Sequence, residues 1–147
     1  MKRMNFLAKL KKEGKLKVVE SSEEIKESYL AKSESNLISA KLLFENNKLE
    51  EAVYLAYYSM YNGLLALLFR VGIKSENHAA SIILLRKVFD IDNSNISFAK
   101  RERVDKQYYV DFHVAKDDVE ELIEKAEEFN KEILDFLSKL TNEKIKA

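Results

Sequence analysis

Apolar side chains recur at spacings of three and four along most of the 147-residue chain, the pattern of helices that bury one face. The most regular stripe runs from Val119 to Leu140. The pattern predicts a short arm helix at 5–12 and five longer helices at about 21–45, 49–71, 75–88, 96–114 and 117–140. The predicted fold class is therefore all-α: an antiparallel up-and-down helical bundle of about five helices with a short N-terminal helical arm.

Residues that favour helix ends separate these segments. Ser21-Ser22-Glu23-Glu24 is a capping signal for the first long helix, and Gly72 is a common kind of helix stop. Ser75 is predicted to cap the helix that follows, and Asp117-Asp118 to cap the last one. The stretch 90–95, DIDNSN, predicts a loop because Asp, Asn and Ser side chains bond to nearby backbone groups in turns.

Composition narrows the class of protein further. The chain has no cysteine, no proline and three glycines, which excludes disulfide scaffolds and cysteine nucleophiles and disfavours all-β folds and glycine-rich phosphate loops. The two histidines, His78 and His113, lack the spacing of a ligand motif, so the sequence indicates no metal and no cofactor. The length fits one domain, with a basic arm at 1–20 and the helical bundle at 21–147.

Charge is balanced overall but uneven along the chain. There are 25 Lys and Arg against 25 Asp and Glu. Residues 1–17 carry seven cations and one acid, whereas 117–135 carry nine acids and two cations. The simplest interpretation is a basic arm beside an acidic, solvated helix face.

The segment 52–69 has no charged residue over 18 positions, the length at which a membrane span becomes an alternative. Tyrosines, Ser59, Asn62 and Gly63 interrupt it, and amphipathic helices on both sides need an apolar partner. We therefore predict a buried central helix, no membrane association and a cytoplasmic location. A helix apolar on nearly every side exceeds what one small bundle covers, so a two-fold homodimer is also predicted, through this helix or its neighbours.

The scarce arginines are the strongest candidates for a binding site. Lysines number 20 and arginines five, yet Arg101 and Arg103 lie two residues apart. A guanidinium binds phosphate bidentately, and aromatic rings stack on bases. Rings follow closely in the sequence: Tyr108, Tyr109, Phe112 and His113. Two interpretations fit this pattern equally well. One is a site that binds a phosphate and a base. The other is an ion pair between Arg101 and Asp105, with the aromatic rings packed in the core.

Several motifs in this order resemble one family. They are the 51–68 segment EAVYLAYYSMYNGLLALL, Gly72-Ile73, His78 at the start of a helix, Arg103, Tyr108-Tyr109, and the final helix with Ala126-Glu127-Glu128-Phe129. Together they resemble the HEPN (higher eukaryote and prokaryote nucleotide-binding) domain, of the small stand-alone archaeal and bacterial type. The resemblance covers about residues 22–140.

The resemblance implies a dimeric bundle that pairs with a minimal nucleotidyltransferase in a toxin–antitoxin-like system. Active members cleave RNA without metal through an Arg-x(4–6)-His motif. Counted from Arg103, the histidine positions hold Tyr108, Tyr109 and Val110. We therefore expect a module that binds a nucleotide or RNA phosphate through Arg101, Arg103, Tyr108, Tyr109 and His113, without efficient catalysis.

Two alternatives stay open at this point. One is an active metal-independent endoribonuclease with a divergent motif, for which Arg103, Tyr109 and His78 are the candidate catalytic residues. The other is a structural helical adaptor without a ligand.

Overall fold

The computed structural model describes residues 2–108 and 114–140, with side chains for 5–104 and 114–140. Within these ranges the elements are α1 (Lys2–Lys12), β1 (Leu16–Val18), α2 (Glu23–Glu45), α3 (Leu49–Arg70), β2 (Ile73–Ser75), α4 (His78–Phe89), α5 (Ser94–Tyr108) and α6 (Lys116–Lys139). The predicted all-α class is confirmed, with α1 as the arm and α2 to α6 as the bundle. Leu10, which is buried, holds α1 in place.

Helix α3 is the centre of the bundle, as predicted. It packs against α2, α5 and α6. Tyr29 stacks on Phe69, whereas Ser33 bonds to Ser59, so α2 and α3 run in opposite directions. By length and composition alone α3 could span a membrane, but 67% of its most apolar window is buried in the bundle. Burial against other helices accounts for its apolar character.

Two helix starts differ from the predictions. Ser22 does cap α2, accepting a hydrogen bond from the Ile25 backbone N–H at 3.0 Å. Helix α4, however, is capped by Asn77, whereas Ser75 lies in β2. Helix α6 begins at Lys116, so Asp117 and Asp118 are not caps. They lie in its first turn, where carboxylates favour the positive end of the helix dipole.

The connection before α5 also differs in detail. The loop after α4 is shorter than 90–95, because α5 already begins at Ser94. Asp92 bonds to the Ser94 backbone N–H at 3.0 Å and so starts the helix. Val114, the predicted end of this helix, lies outside it, and 109–113 lie outside the described residues.

A two-stranded sheet, absent from the predictions, ties the arm to the bundle. β1 and β2 pair antiparallel, with Leu16 opposite Ser75 and Lys17 opposite Lys74. Strands of three residues are too short for an alternating pattern to be recognised in the sequence. The sheet matters for function because β2 leads directly into the start of α4.

Candidate functional site

The tyrosines of α3 form an aromatic face beside the start of α4. Tyr57, Tyr58 and Tyr61 follow one another at helical spacings of one, three and four, and Tyr57 and Tyr61 are buried. His78, the first residue of α4, stacks on Tyr61 with ring centroids 3.8 Å apart and planes 14° apart. The Tyr57 hydroxyl lies 2.7 Å from His78 Nδ1. The imidazole is therefore held both by stacking and by a hydrogen bond.

Arg103 of α5 lies against the same tyrosines. Its guanidinium donates a hydrogen bond to the Tyr58 hydroxyl at 3.2 Å. The guanidinium carbon is 5.2 Å from the centroid of Tyr57 and 5.6 Å from that of Tyr58, distances typical of cation–π contacts. We call Tyr57, Tyr58, Tyr61, His78 and Arg103 the Tyr–His–Arg cluster. Three helices contribute to it, so the tertiary fold assembles it.

Polar groups behind the cluster fix its position. The Tyr61 hydroxyl lies 3.0 Å from Ser81 Oγ, which is 2.8 Å from Ser75 Oγ. Asn77 accepts a hydrogen bond from the Ala80 backbone N–H at 3.0 Å and so orients the first turn of α4. Because buried hydroxyls need partners, this network holds β2, α3 and α4 in one arrangement.

The electrostatics of the cluster favour an anion. Burial lowers the pKa of His78, and the positive charges of Arg103 and Lys100 lower it further. Burial and the charge of Arg103 also lower the pKa of Lys100. Burial raises the pKa of Tyr57, which stays a neutral phenol. Arg103 and Lys100 thus repel each other, and an anion beside them would relieve that repulsion.

The charge of Arg103 gives a testable pKa effect. Replacing Arg103 with glutamine should raise the pKa of His78 toward its ordinary value of 6.5, because one nearby positive charge is removed. An NMR titration of the imidazole measures this, with His78→Gln assigning the signal. The exposed Arg101→Gln should leave the pKa unchanged, and an equal shift in both variants would contradict the geometry.

The same pKa has a consequence for stability. A folded state that lowers the pKa of a histidine disfavours its protonation. The contribution of neutral His78 to stability is therefore present above pH 6.5 and is lost as the pH falls below that value.

The structure brings only part of the predicted site together. Arg103 and His78 meet in the cluster, whereas Arg101 is exposed on α5. The side chain of Tyr108, like that of Asp105 in the alternative ion pair, lies outside the described side chains, and Tyr109 and His113 lie outside the described residues. Among the residues that the structure describes, no group of three His, Asp or Glu could hold a metal ion.

The sequence pattern alone did not identify Tyr57, Tyr58, Tyr61 or Lys100 as site residues. The feature of the sequence that could have identified the tyrosines is their hydroxyl groups. Tyrosines at spacings of three and four inside an otherwise apolar helix need polar partners, and those partners lie on α4 and α5.

The fold and this cluster define a small helical-bundle domain with a partly buried cationic and aromatic site. A family model described as "HEPN domain" matches residues 26–144, most of the chain. The chain therefore belongs to the HEPN family, which confirms the resemblance found in the sequence.

One curated protein is similar to part of the chain. The chain is 37% identical to the UPF0332 protein PH1297 of Pyrococcus horikoshii over 75 residues. The match covers 51% of this chain and 50% of that protein, so the chain spans about half the length of the curated relative that it matches.

Proposed function

We propose that this HEPN domain binds a nucleotide or RNA phosphate at the Tyr–His–Arg cluster. The observation that carries the proposal is the convergence of Arg103 and His78 on the tyrosines of α3, where the guanidinium contacts Tyr57 and Tyr58 and the imidazole stacks on Tyr61. The guanidinium can bind phosphate oxygens, and the half-buried ring of Tyr58 offers a surface for a base.

We also propose that the domain pairs with a minimal nucleotidyltransferase in a toxin–antitoxin-like system in the cytoplasm. Family membership supports this partner. Co-expression with a nucleotidyltransferase encoded in the neighbouring gene, followed by size-exclusion chromatography, tests the pairing. Separate elution of the two proteins would contradict it.

Binding of a labelled, 5′-phosphorylated RNA dinucleotide tests the ligand proposal. Wild type and Arg101→Ala should bind alike, whereas Arg103→Ala should bind far more weakly. No binding by wild type would favour the structural adaptor, whereas equal binding by all three proteins would place the ligand outside the cluster.

Metal-independent RNA cleavage is the second candidate function, favoured by the 2.7 Å contact of Tyr57 with a neutral His78 beside Arg103. A neutral imidazole can accept a proton, and a guanidinium can stabilise a developing phosphorane charge. No histidine follows Arg103 at the spacing that active family members use, so we expect weak or no cleavage. Robust cleavage without metal, abolished by both His78→Ala and Arg103→Ala, would establish the enzyme instead.

We propose a homodimer whose interface includes the α2–α6 face. Apolar residues there are exposed, with Ile38 and Leu42 each 53% and Leu134 51% exposed. A groove of about 530 Å³ lies between the two helices over Gly63, and its lining combines apolar residues such as Leu37 and Leu134 with the polar Glu27, Ser33, Glu34 and Asn130. Exposed apolar area of this kind commonly marks an interface, and a two-fold axis would pair the face with itself.

Light scattering tests the dimer. Wild type should give twice the 17.1 kDa chain mass, and Leu42→Glu combined with Leu134→Glu should give the monomer. Val88→Glu is the matched control, because Val88 is 51% exposed but lies on α4. A monomeric wild type at micromolar concentration would contradict the proposal.

A further inference from the structure

A positively charged surface lies on the arm and the small sheet, apart from the Tyr–His–Arg cluster. We call it the lysine surface, and its exposed members are Lys9, Lys11, Lys12, Lys15, Lys17 and Lys74. Within the same segments, 5–19 and 73–77, there are two acids, Glu13 and Glu76. The contact of Lys15 with Glu13 is 3.6 Å and that of Lys74 with Glu76 is 3.9 Å, both long for an ion pair.

The sheet places two of these lysines against each other. Lys17 is directly opposite Lys74 in the antiparallel register, so both side chains lie on one face of the ladder. Like charges in this position destabilise a sheet. Among the described residues Lys11, Lys12 and Lys17 have no ion-pair partner, which leaves this surface with an excess of positive charge.

The lysine surface is close to the cluster along the chain. Lys74 and His78 are four positions apart, so their Cα atoms are separated by at most about 14 Å. The intervening chain is held in place, because the Glu76 backbone N–H donates to the Lys15 carbonyl at 2.8 Å and Ser75 joins the hydroxyl network behind Tyr61. A nucleic-acid strand advances about 3.4 Å per nucleotide in a helical stack, so roughly four nucleotides cover this distance.

We propose that the lysine surface binds the phosphate backbone of a single-stranded RNA that also occupies the Tyr–His–Arg cluster. The inference rests on the proposed function and adds that the ligand is a polymer rather than a free nucleotide. An acidic peptide would satisfy the lysines but offers no base for the half-buried Tyr58 ring. An unpaired base can reach that ring, whereas a base in a duplex cannot.

Chain-length dependence tests the polymer. Wild type should bind a twelve-nucleotide oligouridine more tightly than the 5′-phosphorylated dinucleotide. The double variant Lys17→Gln and Lys74→Gln should keep the dinucleotide affinity and lose affinity for the dodecamer. Because each lost phosphate contact removes about 0.7 from the slope of log K on log salt for single strands, the slope should fall by roughly 1.4.

A control separates local contact from net charge. The double variant Lys48→Gln and Lys131→Gln removes two exposed lysines outside the lysine surface, so it should bind the dodecamer like wild type. Equal losses in the two double variants would overturn the inference, as would a dodecamer bound no more tightly than the dinucleotide. If polyglutamate of matched charge competes as well as the RNA, the ligand of the lysine surface is an acidic protein and not an RNA.

The outcomes also separate this inference from the proposed function. Dinucleotide binding that depends on Arg103 but gains nothing with length keeps the cluster as a nucleotide site and removes the lysine surface. Dodecamer binding that depends on Lys17 and Lys74 but not on Arg103 keeps the lysine surface as an RNA site and removes the cluster. If wild type binds neither RNA, both proposals are wrong.

Discussion

Replacing Arg103 with alanine should lower the affinity for a 5′-phosphorylated RNA dinucleotide by about 10- to 150-fold. Hydrogen bonds to charged groups contribute about 1.5–3 kcal/mol each, and every 1.4 kcal/mol corresponds to about tenfold in affinity. The loss of affinity should lie at the upper end of this range if two guanidinium nitrogens contact the phosphate. Titration at two salt concentrations measures it.

The folded protein should tolerate this change. Arg103 is half-buried against Tyr57 and Tyr58, and such cation–π contacts are worth about 0.5–1 kcal/mol each when exposed. For a domain of this size a loss of 1 kcal/mol lowers the Tm by about 2–4 °C. A thermal melt of the variant therefore distinguishes a lost ligand contact from an unfolded protein.

Arg103→Lys is the sharper variant. It keeps the positive charge but loses the planar fork that binds phosphate bidentately and stacks on the tyrosines. We expect it to recover little of the affinity. Full recovery would mean that the cluster attracts phosphate only as a point charge, and unchanged binding in Arg103→Ala would remove the cluster as the ligand site.

The helices were predictable because each one carries its own periodic signal. The 49–71 pattern, for example, corresponds to α3 within one residue at its end. Burial of one face is a local property of the sequence, so spacing alone reveals it. The arm helix and α2 were predictable for the same reason, together with the capping signal at Ser22.

The composition of the site was only half predictable. Arg103 stood out because arginine is rare in this chain, and His78 because it opens a helix. Their contact with Tyr57 joins residues 21 and 46 positions apart, and such pairings are set by how α3, α4 and α5 pack. Sequence spacing within one segment carries no information about that packing.

The strands and two caps were missed for a different reason. Ser75 and Asn77 are both good capping residues, and the pairing of β2 with β1 decides between them by taking Ser75 into the ladder. A long-range contact thus selected the local structure. The same contact brings the basic arm close to His78.

Replacing Gly72 with alanine should destabilise the fold by about 2 kcal/mol or more. Gly72 has a φ of +83°, in the left-handed region where side chains cost about 1–2 kcal/mol. A Cβ there would lie 2.5 Å from the Val19 carbonyl oxygen, which is backbone and cannot move aside easily. Any movement of residue 72 away from Val19 to make room for the Cβ would also strain the 2.7 Å hydrogen bond from the Val19 N–H to the Gly72 carbonyl.

Thermal unfolding followed by circular dichroism measures this effect, and a loss of 2 kcal/mol corresponds to a Tm lower by about 4–8 °C. Gly63→Ala is the matched control. Its Cβ would meet Asn130 Oδ1 and Ser33 Oγ at 3.5 Å, an ordinary contact, and alanine is favoured over glycine inside a helix by about 1 kcal/mol. We therefore expect an unchanged or higher Tm for Gly63→Ala.

Because Gly72 directs the chain from α3 into β2, its replacement should also loosen His78 and weaken dinucleotide binding. A Gly72→Ala protein with the wild-type Tm would show that this turn does not constrain the approach of β2 to the cluster.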